Sequence, residues 1–146
     1  MENQEKVINE LNGFLKGRYM GIHQLENLIY VVEDQSIKNI LQDLQQTYKQ
    51  HAILVAERIQ NLGGKPKDGV GFTGTMAEWM SSLKGYPDGN KNILELVKNR
   101  EAIYGIEYSE EIVKGDLDEE SKQLIESIID EDRQIKERLQ TIMETY

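Results

Sequence analysis

An internal repeat is the feature of this 146-residue chain that most constrains its fold. The segment 44–62 aligns with the segment 124–142, about 80 residues later, and Glu-Arg-Ile-Gln at 57–60 meets Glu-Arg-Leu-Gln at 137–140. The preceding segments also align and pair Leu15 with Leu96, Ile22 with Ile103, Leu25 with Ile106 and Val32 with Val113. Because an amphipathic hairpin has to bury its apolar face, two copies of one hairpin predict a helical bundle with an approximate two-fold axis.

The composition agrees with an all-α chain and limits the classes of partner that the chain can bind. Hydrophobic residues make up 38% and charged residues 29%, and the β-branched residues do not alternate with polar ones as in strands. The net charge of −9 repels phosphate groups, so we expect neither nucleic acid nor an anionic membrane as partner. The absence of cysteine excludes disulfides and thiolate sites. With neither an apolar leader nor a run of ~18 apolar residues, we expect a cytoplasmic protein without a membrane span.

Apolar residues at spacings of three and four predict four long helices. The predicted helices cover approximately residues 5–34, 36–62, 91–114 and 119–144. Ser36 and Asp118 are expected to cap the second and fourth helices, because both carry a side-chain oxygen at a predicted N-terminus. Gly63 and Gly115 follow the last periodic residues of helices 2 and 3, where a glycine commonly ends a helix.

The segment 63–92 interrupts the helical pattern, since it contains seven glycines and both prolines. Within it, Thr75-Met-Ala-Glu78 is a capping-box pattern that predicts a short extra helix through Lys84. Two tight hairpins joined by one long crossover are the connectivity of ferritin-like bundles. We therefore predict an all-α fold, a ferritin-like up-down four-helix bundle with a long crossover between helices 2 and 3, as a single domain over residues 1–146.

Polar residues occupy positions of the predicted helical seam where apolar ones are expected. They are Arg18, Tyr48, His51, Arg58, Asn99, Glu110, Glu131 and Arg138, with Glu26 and Glu107 beside the seam. Burying a charge without a partner costs several kcal/mol, on the order of the whole stability of a small domain. Polar groups at matched levels of both halves therefore need a common explanation.

A metal centre is one explanation of these polar positions. Di-iron and di-manganese bundles take one Glu from each of two helices and a Glu-x-x-His from each of the other two. Glu26, Glu107, His51 and Glu131 are the candidate ligands, and iron or manganese is the metal that such oxygen and imidazole donors favour. Tyr48 and Ile128 stand where the two motif glutamates would be required. The pattern thus predicts at most a mononuclear or asymmetric site.

A buried ionic network is the alternative, and the sequence favours it. The arginines at 18, 58 and 138 could pair with the acidic residues of neighbouring helices. Such pairs fix helix register at some cost in stability. A guanidinium is always protonated, so its charge would compete with a metal cation at the same place.

The crossover resembles a bacterial ferritin-like family of four-helix-bundle proteins that is catalogued as a domain of unknown function. The resemblance extends from about Leu11 to Ile142, and its most specific residues are Leu62-Gly63-Gly64-Lys65-Pro66, Gly69, Gly71, Gly74, Trp79 and Leu83-Lys84, with Arg100-Glu101 and Tyr108 in helix 3. It implies a ferritin-like fold and no established activity. The family tends to carry acidic residues at the positions of Glu101 and Tyr19, so the tyrosine leaves that alternative site incomplete.

The leading functional hypothesis is a non-catalytic structural or interaction protein with an eroded metal centre and no cofactor. The alternative is an iron- or manganese-dependent oxidoreductase or stress-response protein that uses Glu26, His51, Glu107 and Glu131. A homodimer or a protein partner would use the helix faces or the apolar face of the short helix around Trp79, because Trp and Met are enriched at interfaces.

Overall fold

The computed structural model describes residues 2–68, 89–100 and 105–146. These residues form five α-helices: α1 (Glu2–Val31), α2 (Gln35–Asn61), α3 (Asn90–Arg100), α4 (Tyr108–Val113) and α5 (Glu119–Met143). Residues 105–107 form a π-helical turn directly before α4. The predicted crossover helix and Trp79 lie outside the described residues. The described part of the chain contains no strand, as the sequence predicted.

The helices form a four-helix bundle in which α3 and α4 together take the place of one long helix. The first hairpin packs α1 along α2, and the second packs both α3 and α4 on α5. The two hairpins meet where α1 contacts α4 and where α2 contacts α5. This arrangement confirms the bundle of two hairpins that the repeat predicted, and it encloses one core between all the helices.

The turn between α1 and α2 corrects the predicted cap of the second helix. Asp34, and not Ser36, is the N-cap of α2: its backbone is extended, and its Oδ1 accepts a hydrogen bond from the backbone N–H of Ile37 at 3.1 Å. The other oxygen, Oδ2, accepts from Asn90 Nδ2 at 3.0 Å and so links this turn to the start of α3. Helix α1 accordingly ends at Val31, because Asp34 is already part of the next helix start.

The C-terminus of α2 lies where the glycine pattern predicted it. Gly63 has φ +85°, a left-handed conformation in which a side chain would be strained. The N–H of Gly64 donates to the carbonyl of Ile59 at 2.9 Å, which satisfies one of the last carbonyls of the helix. After this turn the chain contacts α1, where the N–H of Lys67 donates to Asn12 Oδ1 at 2.8 Å.

The buried face of α5 differs from the predicted seam by one residue. Its buried residues are Ser121, Ile125, Ile128, Ile129, Asp132, Leu139 and Met143. Glu131 and Arg138, which were predicted in the seam, are exposed, and so is Asn99 on α3. The alignment of the two hairpins predicted the helix correctly but not which of its residues are buried. Because an α-helix turns by about 100° per residue, a shift of one residue moves a side chain from the core to its edge.

No helix in the described ranges is long and apolar enough to cross a membrane.

Candidate functional site

A buried ion pair joins the first and last helices in the middle of the bundle. Arg18 of α1 is 5% exposed, and Asp132 of α5 is fully buried. The guanidinium donates from Nη1 to Oδ1 at 3.1 Å and from Nη2 to Oδ2 at 2.8 Å. Two parallel hydrogen bonds of this kind fix both the distance and the plane of the pair. A permanent positive charge is thus held in the core.

Two aromatic rings contact the same guanidinium. Arg18 Cζ lies 4.9 Å from the centroid of Phe14 and 4.7 Å from the centroid of Tyr48. Both rings are buried, and a desolvated guanidinium over an aromatic face is stabilised by the ring quadrupole. Tyr48 stands where a di-iron centre would need a ligating glutamate. In this chain it instead has a structural partner on α1, the guanidinium of Arg18.

His51 of α2 lies beside this ion pair and is 1% exposed. Its Nε2 is 2.6 Å from Glu131 Oε2, and its Nδ1 is 3.9 Å from Asp132 Oδ1. Burial lowers the pKa of His51, and the charge of Arg18 lowers it further, while Glu131 and Asp132 act in the opposite direction. The imidazole is therefore neutral near pH 7, and the tautomer that satisfies this contact carries its proton on Nε2 and donates it to Glu131.

A second ionic layer closes the end of the bundle where α2 finishes and α5 begins. Arg58 donates from Nη2 to Asp118 Oδ2 at 2.5 Å and from Nε to Ser121 Oγ at 3.0 Å, and its Nη1 is 3.0 Å from Glu120 Oε2. Burial alone would raise the pKa of the Asp118 carboxyl, but hydrogen bonds from Ser121 and Arg58 hold that pKa below its ordinary value. Asp118 thus precedes α5 as predicted, although its side chain binds Arg58 and caps no backbone N–H.

The four predicted metal ligands are all described, and two of them are in contact. His51 and Glu131 form the 2.6 Å pair, in which 58% of the Glu131 side chain is exposed. Glu26 lies on the outside of α1, with Oε2 3.3 Å from His23 Nδ1 and Oε1 3.9 Å from Lys49 Nζ. Glu107 is an exposed residue directly before α4. The predicted set is therefore distributed over separate parts of the bundle.

The described side chains do not fit the dinuclear centre of a ferritin-like bundle. No group of three or more His, Asp or Glu residues that could hold a metal ion occurs in residues 2–68, 89–100 and 105–146. Of the two carboxylates nearest His51, Asp132 has both oxygens bonded to Arg18, and Glu131 projects toward solvent. Glu101, which the family resemblance pairs with the position of Tyr19, lies outside the described residues.

Asp132 is the residue of this candidate site that the sequence pattern did not predict. The spacing of the sequence nevertheless indicates that Asp132 is buried. Ile125, Asp132 and Leu139 follow one another at intervals of seven residues, and all three are buried. Two helical turns separate such residues, so they share one face. The alignment of the two repeats instead matches His51 with Glu131, the neighbour of Asp132, and these two residues are in contact.

Comparison with known proteins agrees with this architecture. The model of the family described as "Domain of unknown function (DUF2383)" matches residues 6–115, which is more than half of the chain. No curated protein matches the chain.

Three solved structures share the fold. A bacterioferritin-related protein from Bacteroides fragilis, described as a dodecameric thioferritin, has a TM-score of 0.74 at 20% identity, over 97% of this chain and 86% of that one. A protein described as ferritin-like, diiron-carboxylate, from Bacillus anthracis str. Ames, has a TM-score of 0.71 at 20% identity, over 98% and 99%. An archaeal dps-homologue from Halobacterium salinarum has a TM-score of 0.59 at 17% identity, over 97% and 81%. At these identities the likeness shows a ferritin-like fold and nothing finer.

Proposed function

Since the chain belongs to the family described as a domain of unknown function (DUF2383), we propose from its own residues that it is a non-catalytic ferritin-like protein with a structural or interaction role. The observation that carries this proposal is the buried Arg18–Asp132 pair, with both carboxylate oxygens within 3.1 Å of the guanidinium. An arginine remains protonated at any physiological pH, so its charge opposes a cation in the same place. This buried ion pair thus joins α1 to α5.

The interaction part of the proposal rests on apolar side chains that the bundle leaves exposed. Ile53 is 50% exposed and Leu54 37% exposed, and both lie on α2. At the end of α1, Tyr30 is 89% exposed and Val31 38% exposed. Neighbouring apolar residues of this kind on a helix face are typical of protein contacts. The similar protein from Bacteroides fragilis is described as a dodecamer, and we propose that the present chain also self-associates.

The competing candidate is an iron- or manganese-dependent oxidoreductase or stress-response protein. The contact between His51 and Glu131 favours it, because a neutral imidazole and a carboxylate are donors that iron and manganese accept. The similar protein from Bacillus anthracis is described as a diiron-carboxylate protein. In this candidate Glu26 and Glu107 would complete the ligand set, which requires helix movements that bring both toward His51.

Metal content distinguishes the two candidates. The full chain, expressed in medium supplemented with iron and manganese, is analysed by inductively coupled plasma mass spectrometry and then titrated with Mn²⁺ by calorimetry. We expect far less than one metal ion per chain and the same content in His51→Ala. Gln50→Ala, which changes an exposed residue next to His51 on α2, is the matched control. One or more tightly held metal ions per chain that disappear in His51→Ala but not in Gln50→Ala would refute the non-catalytic proposal.

Light scattering after size-exclusion chromatography tests self-association. We expect the wild-type chain to elute as an oligomer and the double variant Ile53→Ser, Leu54→Ser to elute with a smaller mass. Gln46→Ser, an exposed polar position on the same helix, should leave the mass unchanged. A wild-type chain that is monomeric at high micromolar concentration would contradict this part of the proposal.

A further inference from the structure

A largely apolar cavity of about 380 Å³ lies between α1 and the helices α3 and α4. Its α1 wall contains Gly13, Gly17 and Gly21, which are four residues apart and therefore share one face of the helix. Tyr108 closes the opposite side, with ring atoms 3.9 and 4.0 Å from the place where a Cβ of Gly17 would lie. The missing side chains of α1 create the space, whose volume lies in the range of small-molecule sites, about 300–1,000 Å³.

Two buried polar side chains line this cavity with unmet hydrogen-bonding capacity. Gln24 of α1 is 6% exposed and Ser109 of α4 is 1% exposed. Gln24 Nε2 and Ser109 Oγ have no hydrogen-bond partner among the described residues. A polar atom that is buried without a partner lowers the stability of the fold, and native proteins contain few of them. Each of the two atoms therefore calls for a partner inside the cavity.

The two polar side chains lie at different levels of the bundle. Ser109 directly follows Tyr108, whose ring packs against Gly17, so Ser109 lies near the level of Gly17. Gln24 follows Gly17 by about two helical turns, which is about 10 Å along the axis of α1. One oxygen atom or one carboxylate cannot accept hydrogen bonds from both. A ligand that satisfies Gln24 and Ser109 together therefore has two separate polar groups.

The rest of the lining requires no charge on the ligand. Arg18 is paired with Asp132, and the two other cations of the lining, Lys16 and Arg100, make interactions of their own. No Asp or Glu is present among the described lining residues. The wall between the two polar levels is apolar and aromatic, with Phe14, Leu25, Tyr48 and Val97. This distribution matches an uncharged molecule with an apolar middle.

We propose that the cavity binds an elongated, uncharged aliphatic molecule that carries a hydroxyl or carbonyl oxygen at each end. One oxygen would accept a hydrogen bond from Gln24 Nε2, and the other would pair with Ser109 Oγ. The hydrocarbon chain between them would lie along the glycine face of α1, where it is removed from water. Binding of such a molecule goes beyond the structural role proposed above and does not depend on the oligomeric state.

The first test compares two uncharged probes by calorimetry of the full chain. Octanediol carries a hydroxyl at each end, and octanol carries one. A cavity with a polar partner at one end only would bind octanol more tightly, because the second hydroxyl would be buried without a hydrogen bond. We expect one octanediol per wild-type chain, bound at least fivefold more tightly than octanol.

The second test removes the two polar atoms one at a time. Ser109→Ala removes Oγ and Gln24→Met removes Nε2, and neither change breaks a hydrogen bond of that atom in the described structure, so we expect an equal or higher Tm. Each variant should bind octanediol about fivefold more weakly, the usual effect of one hydrogen bond, and should lose the preference over octanol. The controls Ser127→Ala on α5 and Gln50→Met on α2, both at exposed positions, should bind as the wild type does.

The third test fills the middle of the cavity. Gly17→Leu places a side chain there, because a Cβ at this position meets only ordinary contacts with Tyr108. Leucine also has a higher helix propensity than glycine, so the fold is not weakened. We expect at least a tenfold loss of octanediol affinity with an equal or higher Tm. Asn9→Leu, on the exposed face of the same helix, should keep the wild-type affinity.

The proposal would be overturned by any one of four results. They are a wild-type chain that does not bind octanediol at millimolar concentration, octanediol binding no tighter than octanol binding, wild-type octanediol affinity in Ser109→Ala or Gln24→Met, and wild-type octanediol affinity in Gly17→Leu.

Discussion

Removing either member of the Arg18–Asp132 pair should destabilise the bundle strongly, and removing both should not. Asp132 is fully buried and the side chain of Arg18 is 4% exposed, so each charge depends on the other for its stabilisation. In Asp132→Val the guanidinium stays in the core without its carboxylate, and in Arg18→Met the carboxylate stays without the guanidinium. Breaking a buried pair from one side costs about 3–5 kcal/mol. Arg18→Met also loses the contacts with Phe14 and Tyr48.

The double variant Arg18→Met, Asp132→Val distinguishes a buried ion pair from two independent contributions. If the residues acted independently, their losses would add to about 6–10 kcal/mol, comparable with the entire stability of a domain. Apolar replacement of both members of a buried pair is often neutral. We therefore expect the double variant to lose no more than about 2 kcal/mol, mainly from the two ring contacts, and to be more stable than either single variant.

Urea denaturation followed by circular dichroism measures these free energies of unfolding. Equal m-values across the four proteins are required, since a changed slope would indicate a changed native or unfolded state. Arg133→Met is the matched control, because Arg133 forms an exposed pair with Glu110 at 2.7 Å. That variant should leave the urea midpoint nearly unchanged. The reasoning would be refuted if the double variant lost as much free energy of unfolding as the two single variants lose together.

The remaining predictions concern His51 and the start of α2. Because the pKa of His51 is lowered in the folded chain, the unfolded chain takes up the proton more readily, so stability should be full above about pH 6.5 and decrease as the pH falls below it. His51→Gln should flatten this decrease in thermal unfolding between pH 7 and pH 5, and a variant with the wild-type slope would contradict the assignment. At the turn, Asp34→Ala should lower the Tm clearly while Ser36→Ala leaves it almost unchanged, since Asp34 accepts the hydrogen bond of the Ile37 N–H. Equal Tm losses in the two variants would show that Asp34 is not the effective cap.

Local sequence signals predicted the helices well because they depend on short-range chemistry. The positive φ of Gly63 stops α2 at the expected place, and Asp118 precedes α5 as expected. The cap of α2 was missed, since both Asp34 and Ser36 carry a suitable oxygen. What favours Asp34 is a residue far along the chain: Asn90 donates to its second oxygen and draws this turn against the start of α3.

The candidate site was predicted in part. Spacing placed Arg18 and His51 in the core, and both are buried there. Their partners could not be chosen in the same way, because Glu131 and Asp132 are adjacent and both acidic. In the structure Asp132 pairs with Arg18, while Glu131 contacts His51 from the exposed edge of α5.

The sequence by itself determined the duplicated hairpin, the order of the helices and the presence of an arginine in the core. These follow from apolar periodicity and from glycine and capping chemistry, which act within a few residues. The tertiary structure alone decided that Arg18 binds Asp132 and that His51 contacts Glu131. Such choices depend on how neighbouring helices are rotated about their axes. A rotation equivalent to one residue, about 100°, is enough to exchange a buried carboxylate for an exposed one.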